Sequence, residues 1–229
     1  MLFLQLMNKQ LLIFLCVTFF SLKKSNAQTI DNELWGDIKA SKRLFTNVDM
    51  GFGIGIRMNQ GMSNVNNTFL ESSVIYEVIN NLKSTFTYRH IIMPNGLSNY
   101  KDRFALDLSY KIGVGKFDLT NKLLFQEDII PSQIKNCMLR DRLKLEYNTA
   151  GKVNPFLFTE LFYNTGSDKE FEQFRLSVGL DIDLPKKKVI SVFYILKDTY
   201  NVDFPGSINI VGLAYNFGKI KFHEMEESQ

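Results

Sequence analysis

Three glycines at alternate positions, Gly51, Gly53 and Gly55, run into Arg57 in the stretch VDMGFGIGIRMN (48–59). Glycines beside a basic residue are the material of a phosphate cradle, because backbone N–H groups can then approach an anion closely. Five further arginines, Arg89, Arg103, Arg140, Arg142 and Arg175, could add to such chemistry, since rings of arginine select anions in pores. His90 is a possible general base. An acyl-transfer or phospholipase mechanism would need it beside a serine-type nucleophile.

The elements that must position these residues exclude the nucleotide reading. A dinucleotide-binding glycine turn follows a short apolar strand and opens a helix. Here Val48, Met50, Phe52, Ile54, Ile56 and Met58 alternate strictly with Asp49, Gly51, Gly53, Gly55, Arg57 and Asn59, which is the period of a strand. The same period recurs in TFLESSVIYEV (68–78), KSTFTYRH (83–90), RFALDLSYKI (103–112), LRDRLKLEYN (139–148) and QFRLSVGLDI (173–182), with Asp141 breaking one apolar face.

Eleven strands are predicted, at 33–41, 46–58, 68–78, 82–91, 102–112, 116–127, 137–148, 153–164, 171–183, 188–198 and 207–218. Most reach the 10 to 12 residues that a tilted strand needs to cross a bilayer. Short connections alternate with longer polar ones, and four of the five prolines, Pro94, Pro131, Pro185 and Pro205, fall in connections, where no ladder bond is lost, with Pro155 near the start of the eighth segment. A soluble sandwich also alternates, with its apolar face inside. Strand length and alternating loop length favour an all-β, transmembrane, antiparallel up-and-down barrel of 10–12 strands, with short periplasmic turns and longer outer loops. Single-chain bacterial barrels have even counts, so eleven segments imply ten, with the first not spanning, or twelve. Tyr110, Phe117, Tyr147 and Phe156 flank short turns as an interfacial girdle would. Tyr215 and Phe217 in the last strand suit recognition by the barrel-assembly machinery.

The N-terminus supplies the export route. Lys9, an apolar run from Leu11 to Leu22 and the small-residue site Ser25-Asn26-Ala27 read as a cleaved secretory signal over 1–27, with Met7 an alternative start. The barrel then covers 28–218 and a polar tail 219–229. Cys16 falls in the signal, preceded by Leu15 where a lipoprotein signal has a small residue. Cys137 is left alone in the mature chain, which excludes an intramolecular disulfide. Lys9, Lys23 and Lys24 also leave with the signal, so the 27 bases of the chain fall to 24 against 24 acids. No basic field remains for nucleic acid. The expected location is the outer membrane of a Gram-negative cell, among lipid and lipopolysaccharide.

An early tryptophan in ELWGDI, then LRDRLKLEY, PFLFTELFYN, FRLSVGLDI and the closing GLAYNF occur in an order that resembles a bacterial family of uncharacterised outer-membrane barrels, catalogued only as a domain of unknown function. The resemblance covers nearly all of the mature chain. It implies the fold and the membrane, and it implies no activity and no site residues.

Strand parity turns Arg57, Arg89, Arg103, Arg140, Arg142 and Arg175 toward the lumen, the first five in its outer half. Asp49, Glu77, Asp118, Glu146 and Asp181 fall in the inner half. Two readings follow: an ion-paired interior filling a small barrel, or a narrow, porin-like passage favouring small anions. The lipid-modifying enzyme is the alternative class. His90, on the outward parity at the rim, and His223 in the tail have no serine companion, so no catalysis is expected. No metal or cofactor is expected either, and the acids of QED (126–128) and HEMEES (223–228) read as solvated. A hairpin centred at 43–45 would pair Asp49 with Lys39 and Gly53 with Trp35. Gly51, Gly53 and Gly55 would then form a notch receiving the Trp35 ring, and Gly53→Leu would destabilise the barrel.

Overall fold

A computed structural model describes residues 30–94, 99–131, 136–166, 169–202 and 205–218. The signal segment 1–27 and the tail 219–229, with His223 and its neighbouring acids, lie outside the described residues.

Period-two alternation becomes eleven strands: β1 (Ile30–Phe45), β2 (Val48–Asn59), β3 (Asn64–Ile79), β4 (Leu82–Ile92), β5 (Tyr100–Val114), β6 (Phe117–Ile129), β7 (Asn136–Tyr147), β8 (Val153–Asn164), β9 (Phe171–Leu184), β10 (Lys188–Thr199) and β11 (Ser207–Phe217). They close into one barrel in chain order. Connections at one rim, such as 93–99 and 200–206, span four to seven residues; those at the other, such as 46–47 and 80–81, span two to five.

Consecutive strands are antiparallel, but β1 and β11 are parallel, in register from Ile30↔Ser207 to Ala40↔Phe217. This corrects the wholly antiparallel expectation and its choice between ten and twelve. An even count is required only where the first and last strands meet antiparallel. Parallel closure admits an odd number, and β1 is a full member of the wall. Ile30 therefore stands at the rim of longer connections and Phe217 at the opposite one.

The polarity of the wall is inverted relative to a water-soluble core. Among the described residues twelve buried side chains are polar or charged and seven are apolar. Outward, Phe52, Leu70, Leu106, Val178 and Leu213 are each at least half exposed. Phe117 and Tyr147 meet on this outer surface at 5.0 Å beside a short turn. Phe156, assigned above to the same girdle, instead points into the lumen. Asp141 lies outward, accepting a hydrogen bond from Asn121 Nδ2 at 2.8 Å.

The first hairpin turns at Thr46-Asn47, with a bulge between Arg43 and Phe45. Its register lies four residues along from the one expected: Asp49 faces Arg43, Gly53 faces Lys39 and Trp35 faces Arg57. The Asp49 partner is accordingly Arg43, at 2.9 Å. A slip of four preserves which face each side chain takes, so alternation alone cannot detect it.

Candidate functional site

Inward parity brings the six arginines to one chamber. Arg57 (β2), Arg89 (β4), Arg103 (β5), Arg140 and Arg142 (β7) and Arg175 (β9) line a cavity of about 720 Å³ in the half of the lumen nearest the longer connections. Its wall carries ten lysines and arginines against four carboxylates, Glu33, Asp37, Asp128 and Asp181, among the described residues. A second cavity of about 340 Å³ lies toward the other rim and shares Lys39, Asp181, Ser191 and Asn216 with the first. It is rich in hydroxyls, and its two cations, Lys39 and Lys122, meet three carboxylates, Glu71, Asp107 and Asp181. The positive excess thus belongs to the larger chamber.

Buried carboxylates organise these cations, as charges withdrawn from water must be paired. Glu160 (β8) is 2% exposed and is approached by Arg140 at 2.7 Å, Arg142 at 3.0 Å and Arg175 at 3.6 Å. Arg140 also donates to Gln126 Oε1 at 2.9 Å. Asp128 accepts from Arg103 Nε and Nη2 at 2.6 and 2.7 Å, and from Lys101 at 3.1 Å. That corrects the reading of QED as a solvated end: Asp128 is buried at 5% exposure. Glu71 joins Arg89 and Lys39, the latter at 2.9 Å, and Asp37 takes a two-pronged contact from Arg57 at 2.8 and 3.2 Å.

Aromatic rings separate the guanidiniums. Phe69 lies between Arg89 (4.1 Å) and Arg57 (4.9 Å), Trp35 between Arg57 (4.5 Å) and Arg175 (5.2 Å), and Phe162 between Arg175 and Arg140 (both 4.5 Å). Seven side chains therefore alternate: Arg89, Phe69, Arg57, Trp35, Arg175, Phe162, Arg140. The Trp35–Arg175 contact reaches from β1 past β11 and β10 to β9. Each of these guanidinium carbons lies over a ring face, and the N–H groups remain for carboxylates or for an anion.

The glycines make this stacking possible, although not by receiving Trp35. Trp35 does face the lumen, where its Nε1 donates to Glu33 at 2.8 Å. A Cβ on Gly55 would collide with the Phe69 ring and Asp37 Oδ1; one on Gly53 would meet Lys39 Cγ at 3.3 Å, and one on Gly51 would press on Ser73 Oγ. The tight notch is therefore at Gly55, and Phe69 from the facing strand fills it. Phe156 over Gly179 and Phe193 over Gly212 repeat the device. In each pair the ring lies flat on the wall instead of standing in the lumen.

Glu160, Asp128 and Asp37 were not anticipated as organising groups. Glu160 was hidden because β8 carries aromatics on its inward face, at Phe156, Phe158 and Phe162, so both faces read as apolar. The available signal was that Glu160 is the sole charged residue of VNPFLFTELFYN (153–164), placed between arginine-bearing strands.

His90 is separate from the chamber. It lies on the outer surface, with Nδ1 at 2.8 Å from Asp102 Oδ1; Tyr88 Oη donates to the same oxygen at 2.8 Å, and the Tyr100 ring packs at 5.6 Å. No curated protein in the comparison matches this chain. A family model does, over residues 32–203, and it spans the wall from β1 to the end of β10 and every chamber arginine. The chain belongs to that family, described as protein of unknown function (DUF2490).

Proposed function

We propose that this barrel is an integral outer-membrane protein whose lumen forms a narrow passage favouring small anions. The observation that carries the reading is the chamber wall of about 720 Å³, where ten cations outnumber four lining carboxylates and the three others that pair with them, Glu71, Glu146 and Glu160. Rings of basic side chains favour anions, and the lumen's low-dielectric wall strengthens their field. The inverted polarity of the wall, its strands of 11 to 16 residues and the outward aromatics near the short turns support insertion in a bilayer. Outward Tyr215 and Phe217 at the end of β11 suit engagement by the barrel-assembly machinery, and the apolar belt suits lipid and lipopolysaccharide.

Insertion predicts extraction only with detergent, and folded and boiled forms that migrate differently in gels; a chain that stays in solution without detergent overturns it. The passage predicts a reversal potential of anion-favouring sign across a potassium chloride gradient in a planar bilayer. Changing Arg103→Gln together with Arg142→Gln should lower that preference. The carboxylates keep a partner in this variant, since Asp128 retains Lys101 and Glu160 retains Arg140. Absence of current would remove the pore, and cation preference in the unaltered protein would overturn its anion-favouring character.

A second reading rests on His90 and Asp102. An imidazole oriented by a carboxylate at a rim is two parts of an acyl-transfer relay, which would suit a lipid-modifying enzyme. It requires that phospholipase or acyltransferase activity be measurable in detergent and be abolished by His90→Ala.

A further inference from the structure

One row of directly opposed positions crosses five neighbouring strands: Lys122 (β6), Arg142 (β7), Glu160 (β8), Arg175 (β9) and Lys197 (β10). Adjacent strands stand about 4.8 Å apart, so four cations and one carboxylate are set side by side on the lumen wall. Lys122 is held by Asp107 at 3.0 Å and Lys197 by Glu33 at 3.6 Å, while Arg140 adds a further cation to Glu160. Five cations thus share three carboxylates, an excess of two positive charges.

The two central arginines share one carboxylate, Glu160, with Arg140. Arg142 reaches Glu160 through Nη2 alone, and its buried Nε–H has no hydrogen-bond partner among the described residues. Arg175 is held chiefly by ring faces: it lies 4.5 Å from Phe162 and 5.2 Å from Trp35, and its contact with Glu160 is long at 3.6 Å. Gln173, with its amide oxygen turned toward it, accepts from Nε and Nη2 of Arg175 at 2.6 and 2.9 Å, which leaves Nη1 directed along the row. Both arginines border the 720 Å³ chamber. Guanidiniums confined by aromatic rings, a single carboxylate shared among three of them and an excess of two positive charges suit an oxyanion site.

We propose that this row is a discrete binding site for one free, doubly charged oxyanion of the phosphate, sulfate or small dicarboxylate class, seated over Arg142 and Arg175. Its place inside the lumen selects a soluble anion over a lipid headgroup. The proposal deepens the anion-passage reading and rests on it for access to the chamber.

Inorganic phosphate is the probe. The full chain folded in detergent is titrated by calorimetry, and phosphate is added to the chloride current of the same protein in a planar bilayer. One phosphate should bind per barrel and reduce the current over the same concentration range. Arg175→Gln should weaken both effects about tenfold, a loss appropriate to one charge-assisted contact. Arg142→Gln, which leaves Glu160 two arginines, provides the same measurement if Arg175→Gln does not fold. Phosphate heat without any current supports the site and removes the passage. Anion-selective current indifferent to phosphate, with no heat of binding, overturns the site and leaves the passage standing. Acetate binding as tightly as phosphate would also overturn it, since the site would then not read two charges.

Discussion

Glu160→Ala is expected to lower the stability of the folded barrel by about 3 kcal/mol, read as a lower urea midpoint for conversion of the folded to the unfolded gel band. The carboxylate is almost wholly buried and is the common partner of Arg140, Arg142 and Arg175. Its removal leaves three guanidiniums repelling one another across three adjacent strands. The value sits at the lower end of the range for broken buried ion pairs because the Arg142 side chain is one-third exposed to the lumen, where water screens it. Glu160→Gln keeps an acceptor and loses the charge, so its effect should fall between alanine and the native residue. An unchanged midpoint for Glu160→Ala would mean that the chamber hydrates its guanidiniums fully and that Glu160 is no tie.

The second large effect is at Gly55. Gly55→Ala should cost about 2 kcal/mol in the same measurement, because the added methyl overlaps the Phe69 ring, which is confined by Arg57 and Arg89. The paired Asp37 on the other side is equally unable to retreat from Arg57. Gly53→Ala, two positions earlier on the same face, should stay within about 0.5 kcal/mol, since its methyl meets the flexible Lys39 stem. Equal effects at the two positions would contradict the assignment of the notch to Gly55.

This contrast marks where the sequence stops being legible. Strands, their boundaries within a few residues and the inward parity of all six arginines could be read from alternation, because a period of two survives any context that keeps one face apolar. Register could not. Moving β1 by four residues against β2 leaves every side chain on its face, yet it transfers Asp49 from Lys39 to Arg43 and the notch from Gly53 to Gly55. Glu160 and Asp128 were illegible for a related reason. Their importance lies in which arginines stand opposite or diagonal to them, a property of three strands together. Alternation does count eleven segments, and only the expectation of an even number displaces that count, because parallel closure is a relation between two segments at the far ends of the barrel and neither carries a local sign of it.

Closure by β1 and β11 has a kinetic meaning as well. Asn32 and Asn209 meet across that seam at a separation of 177 positions, so the last step in building the wall joins the most distant parts of the chain. Ten hairpin-linked strands can zip locally, but until β11 arrives both β1 and β10 present unpaired edges, the surfaces on which β-proteins aggregate. Pairing of β11 with both neighbours removes the two edges together, so the strand farthest along the chain is the one that leaves the wall without an exposed edge.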